Sequence, residues 1–266
     1  MRCKICGSQS QPAFRGTILG KYDVAYFHCS HCEFLQTEEP YWLEESYSSA
    51  ISDLDLGPVN RAIWGARIVE GVICSAFDAN AKFVDWGGGY GVLTRLMRDR
   101  GYDFYWHDAH CPNLFAKAFV ADESQSYALL SCFEVFEHFV EPRVEIEKML
   151  KLSSNILFTT ELPPNKITSQ RDWWYLTPET GQHISIYSSR TLEHLAAQYG
   201  LRLMSNGSSL HLLTREPISE RRFHAIARDG RIAWLIRKLG RRKLLRPSLL
   251  PDDFRTVTGW NVCLPD

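Results

Sequence analysis

Long apolar runs are absent from this sequence of 266 residues. No stretch reaches the roughly eighteen apolar residues that a membrane-spanning helix needs, and residues 1–4 lack the apolar core of a secretory signal. We therefore expect a soluble cytoplasmic protein. Charge of one sign is also lacking, because 30 lysines and arginines nearly balance 31 aspartates and glutamates. The average composition thus names neither a nucleic acid nor an acidic surface as a partner.

The distribution of the cysteines does not favour a secreted disulfide framework. Four of the eight are scattered through the chain, and these are Cys74, Cys111, Cys132 and Cys263. The other four form two C-x-x-C pairs near the N-terminus, Cys3 with Cys6 and Cys29 with Cys32. Two such pairs complete a tetrahedral four-thiolate site, so they predict a structural zinc ion, with a redox-active dithiol as the main alternative.

The segment that holds these pairs, residues 1–37, is too short to bury a core of its own, and bound zinc would supply its folding energy. A strand is expected over residues 22–28. In a lesser variant of the metal site, His28 or His31 replaces one cysteine. We expect a zinc-ribbon-like module, and its few basic residues argue against a nucleic-acid partner.

The most informative stretch has the sequence KFVDWGGGYG, at residues 82–91. A short apolar run ends in Asp85, three consecutive glycines follow, and Gly91 stands just before a helical pattern. Glycine leaves room for a cofactor against the backbone, and the start of a helix offers unpaired N–H groups. The pattern D-x-G-x-G-x-G differs from the dinucleotide fingerprint G-x-G-x-x-G. Tight turns are also glycine-rich for structural reasons, so the neighbouring residues decide between the two interpretations.

Strands and helices alternate around this stretch. The patterns predict helices over residues 59–74 and 92–101, and strands over residues 102–107, 118–120, 127–133 and 155–160. The strand over residues 102–107 ends at Asp108, about twenty residues beyond the glycines, where a doubly wound fold places an acid for ribose hydroxyls. Any strand can end in aspartate, but this spacing after a glycine loop favours the ribose interpretation.

The second half of the pattern closes the sheet. Pro142 suits the first turn of a helix, and Ser188 or Ser189 caps another. The last two strands, over residues 201–205 and 209–215, are joined through Asn206-Gly207, a strong hairpin signal. The whole predicts an α/β sheet with an antiparallel closing pair and ligands at the carboxyl edge of its strands.

With these motifs in order, the chain resembles the class I S-adenosylmethionine-dependent methyltransferases. The resemblance covers roughly residues 60–215 and rests on D-x-G-x-G-x-G, on Asp108, on E-V-F-E-H at residues 134–138 and on the closing hairpin. It implies a Rossmann-like doubly wound sheet with an antiparallel last strand, and S-adenosylmethionine as the cofactor. It also implies an enzyme that transfers a methyl group.

The same resemblance implies roles for individual residues. The loop over residues 87–91 packs against the methionine part, Asp85 holds the amino group, Asp108 binds the ribose hydroxyls and Asp122 lies near the adenine. His138 belongs to the packing of its motif. The full set of expected cofactor residues is Asp85, Gly87, Gly88, Gly89, Gly91, Asp108, Asp122, Cys132, Phe133 and Glu134.

A four-cysteine module joined to such a domain is similar to the sugar C-methyltransferases that act on nucleotide-linked deoxysugars. Those proteins continue into a further C-terminal domain, whereas only about fifty residues follow Arg215 in this sequence. The departure places sugar C-methylation in doubt, while a glycan or nucleotide-sugar acceptor remains the leading expectation.

The least regular segment, residues 160–183, directly follows the fifth predicted strand, where insertions commonly build an acceptor pocket. Its Trp173, Trp174 and Tyr175 form either a stacking platform for a sugar or base, or packing for the insertion. Methyl transfer from a sulfonium is an in-line displacement, so the enzyme's main task is alignment. A base is needed only if the acceptor must lose a proton.

His183 is the best candidate for that base, because histidine titrates near neutral pH and this one follows a flexible Gly181-Gln182. Glu161 and Glu179 are expected to orient it or to bind acceptor hydroxyls, and Tyr187 is a second acid/base candidate. A lone histidine is also often a structural hydrogen-bonding residue.

The C-terminal segment is strongly basic and carries an apolar helical stripe of Ile232, Leu235, Ile236 and Leu239. It suits an anionic membrane surface, a phosphorylated acceptor or another subunit, and packing against the main domain is the plain alternative. We therefore divide the chain into a zinc module (1–37), a methyltransferase domain (38–216) and a basic helical extension (217–266).

Three functions are compatible with this division. The leading hypothesis is a cytoplasmic methyltransferase that modifies a saccharide or nucleotide sugar in surface polysaccharide biosynthesis. The second is an RNA methyltransferase that binds the phosphates of RNA through the zinc module and the basic tail. The third is a non-catalytic binding protein with the same fold, and the intact glycine loop with Asp85 and Asp108 argues against it.

Overall fold

The computed structural model describes residues 1–47, 55–244 and 246–261, without the side chains of residues 241–244. In this part of the chain, no helix combines the length and the apolar character required to cross a membrane. The chain separates into two compact units. One unit comprises Met1–Leu56, Phe133–Leu150 and Phe158–Arg215, and the other comprises Gly57–Cys132, Lys151–Leu157 and Glu216–Asp266. The division of the sequence at residues 37 and 216 stays a prediction.

A four-stranded sheet belongs to the first unit. Its strands are β1 (Gln11–Ile18), β2 (Tyr22–His28), β3 (Leu35–Thr37) and β8 (Ser185–Ile186), in the order β1-β2-β3-β8. The strand predicted over residues 22–28 is confirmed as β2. Strand β1 was not predicted, and it pairs with β2 in antiparallel register. Leu19 and Gly20 both adopt positive φ angles in the connecting turn, and apolar side chains such as Val24 and Trp42 form the core beneath the sheet.

A six-stranded sheet has the order β5-β4-β6-β7-β10-β9. Its strands are β4 (Lys82–Trp86), β5 (Asp103–His107), β6 (Leu129–Cys132), β7 (Ile156–Thr159), β9 (Arg202–Ser205) and β10 (Leu210–Thr214). β4 pairs in parallel with β5 and with β6, and β9 pairs with β10 in antiparallel register. All residues of β6 and β7 are buried, as expected of strands covered on both faces. The predicted Rossmann-like α/β fold with an antiparallel closing pair is confirmed.

Eight helices are described. They are α1 (Leu43–Ser46), α2 (Pro58–Ala76), α3 (Val92–Asp99), α4 (Pro142–Leu152), α5 (Ser189–Gln198), α6 (Glu220–Ala227), α7 (Arg231–Leu244) and α8 (Leu250–Thr258). Pro142 opens α4 as predicted. Ser188 caps α5 through a reciprocal capping box with Thr191. Short 3-10 turns cover Phe136–His138 and Trp174–Leu176.

One predicted element is wrong. Instead of a third strand over residues 118–120, the structure has a single parallel bridge between Trp106 and Val120. Helix α7 packs closely against α2 at Gly240, where a Cβ would lie 2.5 Å from the Cys74 Sγ atom. Ala233 and Arg237 of α7 are also buried. The large apolar side chains point to solvent, with Ile232 64% exposed and Leu239 50% exposed. Close approach of two helix backbones favours small residues at the contact. The opposite face of α7, with Ile232, Leu235 and Leu239, is therefore exposed to solvent.

Candidate functional site

The glycine loop turns sharply between β4 and α3. Gly87, Gly89 and Gly91 adopt φ angles of 69°, 54° and 88°, a region that side-chain-bearing residues rarely occupy. Gly91 stands at the N-cap of α3 and provides no side-chain cap for its N–H groups. A Cβ at Gly88 would lie 2.8 Å from the Trp106 Cδ1 atom and 2.9 Å from an Asp85 carboxylate oxygen. The loop therefore needs glycine for its backbone angles and for its close packing.

Three hydrogen bonds tie this loop to the end of β5. The Gly89 N–H donates to Asp108 Oδ2 at 2.9 Å, and the Gly88 N–H donates to the His107 carbonyl oxygen at 3.1 Å. The indole N–H of Trp106 donates to the Gly89 carbonyl oxygen at 2.8 Å. Trp106 was not among the predicted site residues, because its role depends on the packing of two strands and not on a local motif.

Asp108 is held by backbone groups on both oxygens. In addition to the bond from Gly89, its Oδ1 atom accepts N–H groups from His110 at 2.7 Å and from Cys111 at 2.8 Å. A carboxylate offers about four acceptor positions. Three of them orient Asp108, so acceptor capacity remains for one hydroxyl group of a ribose.

Asp85 lies in the interior at the end of β4. Its Oδ1 atom accepts a hydrogen bond from the Ser131 hydroxyl at 2.7 Å. Burial, opposed by the Ser131 hydrogen bond and assisted by the Asp108 charge, raises the pKa of Asp85 to about 7. No lysine or arginine of the described residues forms an ion pair with Asp85. A buried carboxylate without a cationic partner is chemically suited to the ammonium group of a bound amino acid.

The other expected cofactor residues occupy varied positions. Asp122 is exposed, and hydrogen bonds from Ser124 and Gln125 lower the pKa of its carboxyl to about 2. Cys132 is fully buried at the end of β6. Glu134 adopts a φ angle of 55°, and its N–H donates to the Thr159 hydroxyl at 2.8 Å. The roles of Asp122 and of residues 132–134 in cofactor binding stay predictions.

Phe133 immediately follows Cys132 and is half-buried. Non-glycine residues at positive φ cluster at functional sites, because such a conformation costs about 1–3 kcal/mol and needs support from its surroundings. Glu134 is such a residue, and the Thr159 hydroxyl is part of that support.

The four N-terminal cysteines converge. Their Sγ atoms all lie within 4.8 Å of one another, with 3.5 Å between Cys3 and Cys32 and 3.5 Å between Cys6 and Cys29. Thiolates at about 2.3 Å from a tetrahedral zinc ion stand roughly 3.8 Å apart, so the donor set fits such an ion. The hydrogen bond from Cys32 lowers the pKa of Cys3 to about 5.

Both cysteine pairs lie in similar backbone turns. The Gly7 N–H donates to the Cys3 carbonyl oxygen at 3.0 Å, and the Glu33 N–H donates to the Cys29 carbonyl oxygen at 2.7 Å. Gly7 and Glu33 each adopt a positive φ, of 75° and 61°. Each turn therefore directs its two sulfur atoms toward the same point.

A second polar cluster surrounds the predicted base. Glu137, His138 and His183 each offer a ligand atom, and these atoms lie within 4.8 Å of one another. The Tyr175 hydroxyl donates to Glu137 Oε1 at 2.6 Å, and the His183 Nδ1 atom is bonded to the Tyr175 carbonyl oxygen. Burial raises the pKa of Glu137 to about 8, with a further contribution from the Glu134 charge, and burial lowers the pKa of His183 to about 4.

The other two predicted catalytic residues do not belong to this cluster of three. Glu179 is exposed. Tyr187 is buried, and its hydroxyl donates to the Phe136 carbonyl oxygen at 3.0 Å. Glu137 and His138 were missed as site residues because the sequence analysis assigned their motif to the cofactor side and to packing.

The three consecutive aromatic residues have different environments. Trp174 is 72% exposed, Tyr175 is buried and Trp173 is half-buried. The Trp174 ring contacts the Tyr175 ring edge-on at 5.4 Å, and the Tyr175 ring lies 4.5 Å from the His183 ring. Aromatic contacts thus connect an exposed indole ring to the polar cluster.

The chain matches a known protein family. A family model described as a methyltransferase domain matches residues 67–206, more than half of the chain. Magnesium protoporphyrin IX methyltransferase from Synechocystis PCC 6803 is similar in structure, with 13% identity, a TM-score of 0.45 and coverage of 65% of this chain and 92% of that chain. No curated protein sequence matches the chain significantly.

Two further solved structures are similar over shorter parts of their own length. TnmH has 16% identity and a TM-score of 0.45, and the match covers 66% of this chain and 61% of that chain. The mitomycin 7-O-methyltransferase MmcR has 15% identity and a TM-score of 0.40, and the match covers 59% of this chain and 56% of that chain. This chain therefore spans less than two thirds of the length of these two proteins.

Proposed function

Because the chain belongs to the methyltransferase-domain family and is an S-adenosylmethionine-dependent enzyme, we propose that its acceptor is a saccharide or nucleotide sugar of cytoplasmic surface-polysaccharide biosynthesis. When bound, S-adenosylmethionine supplies a methyl group on a sulfonium centre. The chain's own residues must bind this cofactor, orient the acceptor and exclude water, since an in-line displacement depends chiefly on alignment.

Asp85 and Asp108 are the proposed anchors of the cofactor. The buried Asp85 carboxylate suits the ammonium group of the methionine part, and a cation there would favour the ionised form that burial disfavours. Asp108 has acceptor capacity left for a ribose hydroxyl beside the glycine loop. Asp122 near the adenine and residues 132–134 along the cofactor complete the proposed site.

The observation that supports a saccharide acceptor is the exposed ring of Trp174. The Trp174 ring contacts the Tyr175 ring, and the Tyr175 ring contacts the His183 ring. An exposed indole face can stack against the apolar face of a sugar ring, and the sugar hydroxyls would then lie near the polar cluster. Glu161, which is half-buried, is proposed to accept hydrogen bonds from acceptor hydroxyls.

Among the proposed catalytic residues, His183 has the strongest support, because its ring is held by a backbone carbonyl next to two further polar side chains. Glu179 is exposed and so accessible to an acceptor, but it does not belong to the cluster of Glu137, His138 and His183. The interior position of Tyr187 gives its acid/base role less support.

The four-cysteine cluster is proposed to hold a structural zinc ion. The convergence of four sulfur atoms at tetrahedral spacing supports zinc over a redox dithiol, which needs only one pair. His28 and His31 are both exposed, which supports thiolates as all four ligands.

The basic tail is proposed to contact an anionic membrane surface. The apolar face of α7 is exposed and the helix carries several basic residues, a combination typical of interfacial helices. Other basic residues of the tail are engaged internally, since Arg237 pairs with Asp229 at 2.9 Å and Arg246 contacts Asn80 at 2.6 Å. Because Arg237 and Arg246 already contact other residues of the protein, these contacts argue against the binding of RNA phosphates by the tail.

The experiment is a transfer assay with methyl-labelled S-adenosylmethionine, a panel of nucleoside-diphosphate sugars and structured RNA. We expect label in a sugar, and we expect Trp174→Ala to raise the KM for that sugar several-fold with little change in cofactor affinity. Trp260→Ala is the matched control, since Trp260 is similarly exposed at the other end of the chain. Label in RNA and in none of the sugars would overturn the proposal.

A further inference from the structure

The cluster of Glu137, His138 and His183 has the features of a metal site that is separate from the four cysteines. We propose that these three side chains bind a divalent transition-metal ion. One carboxylate oxygen and two imidazole nitrogens lie within 4.8 Å of one another, close enough to share one ion after small side-chain adjustments. The His138 Nε2 atom is 3.9 Å from Glu137 Oε1, which places an imidazole nitrogen beside the carboxylate.

Neighbouring groups orient both imidazole rings. A carbonyl oxygen can only accept, so the His183 Nδ1 atom donates to the Tyr175 carbonyl oxygen and carries the ring proton. Its Nε2 atom therefore keeps a lone pair. The His138 Nδ1 atom lies 3.0 Å from the Tyr47 hydroxyl, a contact that fixes the orientation of this ring. Metal-binding histidines typically hold their second nitrogen in this way.

The carboxylate of Glu137 is only half satisfied within the protein. Its side chain is 0% exposed, and Oε1 accepts the Tyr175 hydroxyl at 2.6 Å. Its Oε2 atom is buried and has no hydrogen-bond partner among the described residues. A buried oxygen that accepts nothing costs about 1–3 kcal/mol, and a coordinated cation would remove that cost.

Glu137 also has no basic ion-pair partner. In the part of the chain that the structure describes, no lysine or arginine forms an ion pair with this side chain. A coordinated cation would supply the partner that a buried carboxylate requires.

The donor set selects the kind of cation. Two imidazoles favour zinc, cobalt or iron, whereas magnesium and calcium prefer sites made of oxygen atoms. Three protein ligands leave at least one coordination position open, which is the arrangement of catalytic and not of structural zinc sites. The four-cysteine cluster, with all positions filled, is of the opposite type.

The function of this ion rests on the proposed methyl transfer to a hydroxylated acceptor. A hydroxyl oxygen in the open position would be acidified by the cation, and its proton would leave to solvent water. His183 would then act as a ligand of the ion, through the Nε2 atom that keeps its lone pair.

The test counts bound metal in the full-length protein with zinc already in its cysteine site. After equilibrium dialysis against Co²⁺, elemental analysis is expected to find one cobalt per chain in addition to one zinc. His183→Asn and Glu137→Gln should each lower cobalt affinity at least tenfold without changing the zinc content. Glu137→Gln keeps an oxygen for the Tyr175 hydroxyl, so the fold should persist.

His211→Asn is the matched control. His211 is also buried, but both of its ring nitrogens are bonded within the protein, to Ser205 at 2.9 Å and to Thr160 at 3.0 Å. This variant should bind cobalt like the wild type. Absorption spectroscopy adds a second readout, because cobalt bound to imidazole and carboxylate lacks the thiolate charge-transfer bands of a cysteine site.

Two results would overturn the proposal. One is a wild-type protein that takes up no cobalt beyond the cysteine site, and the other is cobalt binding that survives in both variants and is lost in Cys6→Ser. Failure of the acceptor proposal is distinguishable, since cobalt would still bind while no sugar is labelled. Methyl transfer to a sugar that persists without any second metal would overturn the role given to the ion and leave the acceptor proposal intact.

Discussion

The backbone N–H of Gly89 donates to the Oδ2 atom of Asp108 at 2.9 Å, across 19 residues of sequence. The acid expected to bind a ribose thus also holds the glycine loop against the end of β5. Trp106 strengthens the same connection through its bond to the Gly89 carbonyl oxygen. Loop shape and ribose recognition therefore depend on one another, and changes in the loop should affect cofactor binding.

Gly88→Ala should weaken S-adenosylhomocysteine binding by tenfold or more. The added methyl group would lie 2.8 Å from Trp106 and 2.9 Å from Asp85, so the loop must shift at a cost of about 1–3 kcal/mol. Calorimetric titration measures the change. Gly230→Ala is the control, because a Cβ at Gly230 meets no atom within 4 Å and affinity should not change. Equal affinity of Gly88→Ala and wild type would contradict the packing argument.

Cofactor affinity should fall as the pH decreases below about 7. Burial raises the pKa of Asp85 to about 7 in the cofactor-free protein, so the carboxyl takes up a proton there that an ammonium ligand must displace. Affinity for S-adenosylhomocysteine should drop by up to about tenfold per pH unit. Asp85→Asn should bind weakly with a flat pH profile, and a parallel slope in this variant would assign the pH dependence to another group.

The Asp85 carboxyl also makes the stability of the cofactor-free protein depend on pH. Its pKa is higher in the folded chain than in the unfolded chain, so the folded state binds the proton more tightly. The stabilisation is present below the ordinary carboxyl pKa and is lost as the pH rises through about 7.

Cys6→Ser should release zinc and lower the melting temperature. Loss of one thiolate breaks the four-sulfur site, and a module of this size depends on the metal for its folding energy. Elemental analysis and thermal unfolding measure the two effects. His31→Ala should keep one zinc per chain, because its side chain is exposed. Zinc loss in His31→Ala but not in Cys6→Ser would support the histidine variant of the site.

Asp253→Ala should lower the free energy of unfolding by about 3–5 kcal/mol, because it leaves the buried Arg98 guanidinium without its main partner. The Arg98 Nη2 and Nε atoms contact the two Asp253 oxygens at 2.6 Å and 2.8 Å, and both side chains are 6% exposed. Urea unfolding measures the loss. Asp252→Ala should cost less than about 1 kcal/mol, since its ion pair with Arg255 is exposed. Equal effects of the two variants would show that α8 is not anchored through this pair.

The exposed face of α7 should bind vesicles that contain phosphatidylglycerol. Replacement of Leu235 and Leu239 by glutamate should abolish co-sedimentation with these vesicles, because it removes apolar area and adds repulsion. Vesicles of phosphatidylcholine alone are the control and should bind weakly. Binding to neutral vesicles as strong as to anionic ones would exclude the charge-based explanation, and no binding to either would exclude a membrane partner.

Local motifs allowed much of the fold to be predicted. The Asn206-Gly207 turn with its antiparallel strands, the Ser188 cap and the strand-loop-helix around Gly87 were all found in the structure near their expected positions. Each depends on the backbone preferences of a few consecutive residues, and such preferences can be recognised from the sequence alone. The prediction of a third strand over residues 118–120 was wrong, because the structure has a single bridge between Val120 and Trp106 at this place.

The site divides in the same way. The glycine loop, Asp85, Asp108 and the two cysteine pairs could be selected from the sequence, since residue type and spacing mark them as candidates. The convergence of His183 with Glu137 and His138, which precede it by more than forty residues, is visible only in the folded chain. The same holds for the close packing of α7 against α2 at Gly240. Burial and long-range packing are properties of the folded chain, and they determine which polar groups converge and which apolar groups remain exposed.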